Sequence, residues 1–132
     1  MTPGQGTILG AYRIIRPLGE GGMGTVYEAA HVQTGAPAAI KVLHPHHARN
    51  PEIAARFFNE ARAANAIRHP SIVPVFDVGT DAEGTPYLVM GLLSGQTLTA
   101  RIEVQQRLGI DALRIVRQIA SALTAAHAQG II

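Results

Sequence analysis

Three short segments carry residues whose type and spacing could do chemistry. The first is Gly19-x-Gly21-x-x-Gly24. Glycines at this spacing let backbone N–H groups approach phosphate oxygens with no side chain in the way. The second is Lys41, an ammonium set among Ile40, Val42 and Leu43 where a half-buried strand is expected. Strand alternation puts Ala39 and Lys41 on one face and Ile40 and Val42 on the other. The third is Glu60, beside Phe57, Ala61 and Ala64 on a helical stripe. A carboxylate at the edge of an apolar face needs a partner, and Lys41, facing the same inferred cleft, can supply one. Taken singly, each has a plainer reading: a hairpin turn, an edge-strand lysine with its head in water, and a solvated helix charge.

The elements that must position these residues are legible in outline. Tyr12 to Leu18, Thr25 to His31 and Ala36 to Leu43 read as three strands of an antiparallel meander, with Gln33-Thr34-Gly35 as a turn. The run Gly19 to Gly24 is too glycine-dense for a regular element. Asn50-Pro51-Glu52 starts a helix, with Asn50 as N-cap, and Ile53, Phe57, Ala61 and Ala64 give it an apolar stripe up to about Ile67. Strands follow over Ile72–Val78 and Pro86–Leu93, joined by a turn at Thr80–Gly84. A helix is expected over Thr97–Arg107. Another, N-capped by Asp111, runs to about Gln129, with Leu113, Val116, Ile119, Ala120 and Leu123 on one wide face and Gly130 as its C-cap.

Composition closes off several classes. The 132 residues are 47% apolar and 15% charged, which fits a folded domain and neither a disordered tail nor a coiled coil. A net charge of +2 and 5% aromatics argue against a nucleic-acid partner. The absence of cysteine excludes disulfide scaffolds, thiol catalysis and Cys-ligated zinc, and is compatible with a cytoplasmic location. No signal-peptide pattern or membrane-length apolar run is visible. His44, His46 and His47 invite a metal reading, but Pro45 resists the helical turn that would align them and no acidic ligand is near. They read as a solvated loop, with no metal site expected.

Context decides what the glycines mean. A dinucleotide-binding turn needs a helix directly after them, and Thr25-Val26-Tyr27-Glu28 is a strand. No Gly-Lys-Ser/Thr follows, so this is not a Walker-A loop. The order of glycine hairpin, strand lysine and helix carboxylate resembles the protein kinase family. Leu18-Gly19-Glu20-Gly21-Gly22-Met23-Gly24-Thr25-Val26-Tyr27 resembles its glycine-rich loop, and Ala38-Ala39-Ile40-Lys41 its Val-Ala-Ile-Lys strand. Asn59-Glu60-Ala61 is similar to its helix-C glutamate, Ile67-Arg68-His69-Pro70-Ser71-Ile72-Val73 to the stretch after that helix, and Tyr87-Leu88-Val89-Met90 to the strand before the hinge. The Gly-Gly-Met-Gly form is most similar to bacterial Ser/Thr kinases.

The resemblance implies an α+β fold: a kinase N-lobe with a five-stranded antiparallel sheet and helix C, then the first two C-lobe helices. The implied organisation is a flexible terminus over 1–7, the N-lobe and hinge over 8–93, and the start of the C-lobe over 94–132. It implies that Leu18 and Gly19 belong to the ATP-binding set and that backbone N–H groups around Glu20, Gly21, Gly22, Met23 and Gly24 cover the ATP phosphates. Lys41 would contact the α- and β-phosphates and be held by Glu60 in an ion pair. Val26 and Ala39 would flank the adenine, Met90 would be the gatekeeper, and Gly91 and Leu93 would offer hinge backbone to the adenine edge. The family usually has an acidic residue at Gly91.

After His127-Ala128-Gln129-Gly130-Ile131-Ile132 the family continues with His-Arg-Asp, absent here, as are the Asp-Phe-Gly segment and the Mg²⁺-binding residues. The expectation is therefore the ATP-binding portion of a Ser/Thr kinase, a transferase whose longer parent uses ATP and Mg²⁺ on an unidentified protein substrate and could carry a membrane span beyond residue 132. Alone, this chain is expected to be inactive and prone to self-association through the N-lobe or the C-lobe helices. The rival reading is a naturally truncated module that binds nucleotide or a partner kinase without catalysis. A nicotinamide-dependent oxidoreductase is disfavoured by the strand after the glycines.

Overall fold

The computed structural model describes residues 2–107 and 109–132. Two compact units form: residues up to Asn65 with Val73–Leu92, and Ala66–Ile72 with Leu93–Ile132.

The first unit is built on an antiparallel sheet of β1 (Ile8–Leu9), β2 (Tyr12–Glu20), β3 (Gly24–His31), β4 (Pro37–Leu43), β5 (Val75–Thr80) and β6 (Pro86–Met90), in the order β1-β2-β3-β4-β6-β5. Five strands are expected from the sequence and six are found. The extra one, β1, folds back on β2 through Gly10, whose φ of +58° suits glycine. Its two residues are too few to show a period of two.

Other strand boundaries move as well. β2 and β3 extend into the glycine segment, leaving only Gly21, Gly22 and Met23 as the tip. β2 passes Pro17 by skipping a residue on either side, at Ile15 and at Leu18. Such bulges accommodate a residue with no N–H to give the ladder. β5 begins at Val75, not Ile72, because Pro74 cannot donate; its carbonyl instead accepts the Gly91 N–H at 3.0 Å, and β6 stops at Met90. The β5–β6 turn is tied by Asp81, whose Oδ1 accepts N–H bonds from Glu83 (2.9 Å) and Thr85 (2.8 Å).

One sheet face buries Leu9, Ile14, Tyr27, Ala29, Ala38, Ile40, Val42, Tyr87 and Val89. The other packs Leu43 and Leu88 against Phe57 and Ala61 of α2 (Pro51–Ala66). Asn50 caps α2 as its sequence demands, its Oδ1 accepting from the N–H groups of Glu52 (3.0 Å) and Ile53 (3.4 Å). Before it lies α1 (Pro45–Ala48), a helical turn where a loop is expected. Pro45 does not resist this turn, because it stands at the first helical position, where a missing N–H costs nothing.

In the second unit, α3 (Leu98–Gln105) is capped by Thr97, whose Oγ1 accepts the Ala100 N–H at 3.1 Å. α4 (Asp111–Ala128) has Ile110, not Asp111, at its cap position. The Asp111 carboxylate instead pairs with Arg101 and Arg114. Gly130, at φ +75°, closes the helix one position beyond its cap residue Gln129, with Ile131 N–H donating to Ala126 O and Gly130 N–H to His127 O. Ser71 N–H donates to His69 Nδ1, which leaves His69 Nε2 to donate to Ser121 Oγ at 2.8 Å. Among the described residues, no helix is long and apolar enough to cross a membrane.

Burial raises the phenol pKa of Tyr87, helped by the charges of Asp77 and Asp81. It does the same for Tyr27, where a hydrogen bond with Thr25 partly opposes it and the Glu20 charge adds to it. A raised folded pKa means the unfolded chain loses these protons first. The contribution is thus intact below the unfolded value of 10.0 and is lost as pH climbs through the folded pKa. Urea midpoints are expected to fall above pH 10, and Tyr87→Phe with Tyr27→Phe should flatten that slope. An equal slope in the double variant would assign the loss to other groups.

Candidate functional site

The register of the sheet assembles the proposed nucleotide face. Lys41 stands opposite Val26 on β3 and Leu88 on β6, and Ala39 stands opposite Glu28 and Met90. Residues directly opposed in a ladder share a face. Val26, Ala39, Lys41 and Met90 therefore lie on the α2 side of the sheet, with Leu43 and Leu88. Lys41 is half-buried and Met90 packs against the α2 cluster.

The β2–β3 hairpin ends in an open tip. Gly21 N–H donates to Gly24 O at 2.9 Å. Among the described residues, the N–H groups of Gly22 and Met23 have no protein acceptor. A side chain at Gly19 or Gly22 would meet nothing within 4 Å, and at Gly21 only an ordinary contact with Gly24 O. Gly24 differs: a Cβ there would run into the backbone of Val42 and Leu43. Leu18 and Glu20 are exposed beside the tip. At the far end of β6, Gly91 N–H is already given to Pro74 O, so only its carbonyl remains for a ligand. Leu93 belongs to the second unit.

The expected Lys41–Glu60 ion pair is not formed. α2 is packed in place through Phe57 and Ala61, yet Glu60 is exposed and its Oε1 accepts from Arg56 Nε at 3.0 Å. The competitor was readable, since a residue four positions earlier on a helix is a surface neighbour. The histidines also depart from expectation. α1 brings His44, His46 and His47 together, with ring centroids of His46 and His47 4.0 Å apart. They do not sit free in water: His44 Nε2 lies 2.9 Å from Gly21 O and His47 Nε2 lies 3.0 Å from Gly22 O. Desolvation, with the charges of His47 and His44, lowers the pKa of His46. Among the described residues, no group of side chains has a metal-binding arrangement. The sequence signal for the two contacts was His44 and His47 three apart around a proline able to open a helix.

The protein kinase domain family matches residues 12–132. Serine/threonine-protein kinase Pkn1 of Myxococcus xanthus is 42% identical over 130 residues, covering 98% of this chain and 18% of the relative. Serine/threonine-protein kinase PknE of Mycobacterium bovis is 40% identical over 127 residues, covering 96% and 22%. The crystal structure of the M. tuberculosis PknI kinase domain superposes with a TM-score of 0.81 at 31% identity, covering 98% of this chain and 52% of that one. The chain thus spans about a fifth of these curated relatives and about half of the solved kinase domain.

Proposed function

Because the chain belongs to the protein kinase domain family, we propose that it is the ATP-binding portion of a Ser/Thr protein kinase whose parent moves the ATP γ-phosphate to protein hydroxyls. The observation that carries this is the sheet register, which sets Lys41 on one face with Val26, Ala39 and Met90, next to a glycine tip with two unclaimed N–H groups. On this reading the tip amides receive phosphate oxygens, Lys41 neutralises the α- and β-phosphates, and Val26 and Ala39 flank the base. Glu60 holds Lys41 only after leaving Arg56. That exposed pair is worth only about 0.3–0.5 kcal/mol, so it is a small barrier to the exchange.

These 132 residues contain no His-Arg-Asp and no Asp-Phe-Gly. Transfer needs metal ions to neutralise developing charge and an aspartate to accept the hydroxyl proton. We therefore expect the chain alone to bind ATP weakly and to transfer nothing. Radiolabelled ATP with myelin basic protein as a generic acceptor tests this. The expected result is no incorporation; reproducible labelling abolished by Lys41→Met would sink the inactivity claim.

A further inference from the structure

His44 and His47 have no part in the roles above, yet both touch the glycine tip. A carbonyl oxygen only accepts, so each Nε2 carries its proton and donates, to Gly21 O at 2.9 Å and to Gly22 O at 3.0 Å. The His44 N–H donates to Met23 O at 2.9 Å. The three carbonyls of the tip are therefore all held by one short segment. Pro45 makes that possible, by opening the helical turn that sets His44 and His47 three residues apart beside the tip.

The peptide bonds of the tip are trans. In a trans peptide, the C=O of one residue and the N–H of the next lie in one plane and point opposite ways. Holding Gly21 O fixes the direction of the Gly22 N–H, and holding Gly22 O fixes that of Met23. These are the two N–H groups with no protein acceptor. We propose that His44 and His47 are positioning residues that hold the Gly22 and Met23 N–H groups turned out of the tip to receive the phosphates of a nucleoside triphosphate. The proposal rests on the ATP-binding reading and adds its means of preorganisation. Without the clasp, the adjacent glycines lose their order, and a ligand must restore it at the expense of affinity.

The clasp needs only that each Nε2 carry a proton, as the contacts with two carbonyl oxygens require. The groups that face it are His46, stacked on His44 at 5.5 Å, and the Glu20 carboxylate, 3.8 Å from His44 Nε2.

The test compares the chain with a His44→Ala/His47→Ala variant and a His44→Gln/His47→Gln variant, whose amide nitrogens can donate from a similar distance. Two readouts are taken: backbone ¹⁵N order parameters of Gly22 and Met23 without nucleotide, and titrations with ATP and with adenosine. The expected wild-type order parameters are near the rigid value of about 0.85, falling below about 0.6 in the alanine variant. ATP should bind on the order of fivefold more weakly to the alanine variant, a fraction of what two hydrogen bonds can contribute, while adenosine is unchanged. The glutamine variant should recover both order and ATP affinity. Unchanged order parameters in the alanine variant overturn the proposal. So do parallel losses for ATP and adenosine, which would mark general damage, and so does a glutamine variant as impaired as the alanine one. If the wild-type chain binds neither ligand, the ATP-binding reading fails, and the order parameters still decide whether the histidines hold the tip.

Discussion

Gly24→Ala is expected to destabilise the first unit by about 3 kcal/mol, while Gly22→Ala, two residues away, costs less than about 0.5 kcal/mol. A Cβ at Gly24 would fall on the carbonyl of Val42, 3.0 Å from its carbon and 3.2 Å from the Leu43 Cα. All of these are backbone atoms of β4, in the middle of the sheet, and cannot swing aside as a side chain would. A Cβ at Gly22 would enter open space. The loss is a large part of the roughly 5–15 kcal/mol that holds a typical domain together. Urea unfolding followed by circular dichroism compares the two variants directly. Equal midpoints would mean that the Gly24–Leu43 register of β3 and β4 is wrong. The contrast also divides the labour within the glycine pattern. The last glycine is required by close packing of β3 on β4, and the earlier ones leave the tip open to a ligand.

This division was not readable from the spacing, which treats all three glycines alike. What the sequence does show are features set by local chemistry. The Asn50-Pro51 start of α2 is legible because the cap and the first-turn proline are single-residue requirements. The face shared by Ala39 and Lys41 is legible because a strand has a fixed period of two. What it hides depends on contacts between distant segments. The Pro17 bulges, the two-residue β1 and the late start of β5 after Pro74 are decided by which neighbour each backbone group finds. The partner of Glu60 is likewise decided by reach as well as by facing. Lys41 matches it in facing, but Arg56 reaches it on the same helix without any movement of α2. The histidine clasp was hidden by reading Pro45 as a helix breaker, when its position at the first turn makes it a helix starter.

Amides from Leu113 to Leu123 are expected to exchange with solvent much faster than those from Ala38 to Val42, and the chain is expected to self-associate. α4 buries none of its residues. Leu113 is 63% exposed, Val116 60%, Ile119 47% and Leu123 51%, all on the helix's apolar side. By contrast, Ala38 and Ile40 of β4 are fully buried. Full burial of a Leu, Ile or Val contributes about 1.5–3 kcal/mol, so four side chains left half exposed forgo about 3–6 kcal/mol. That shortfall lowers the free energy of local opening, which is what exchange reads. It also leaves an apolar stripe that a second copy of the chain can cover. Leu113→Glu with Leu123→Lys should therefore raise the monomer fraction in sedimentation without changing exchange in β4. A wild-type chain that sediments as a monomer at all concentrations, with α4 protected as strongly as β4, would show that the helix has found a complete core by itself.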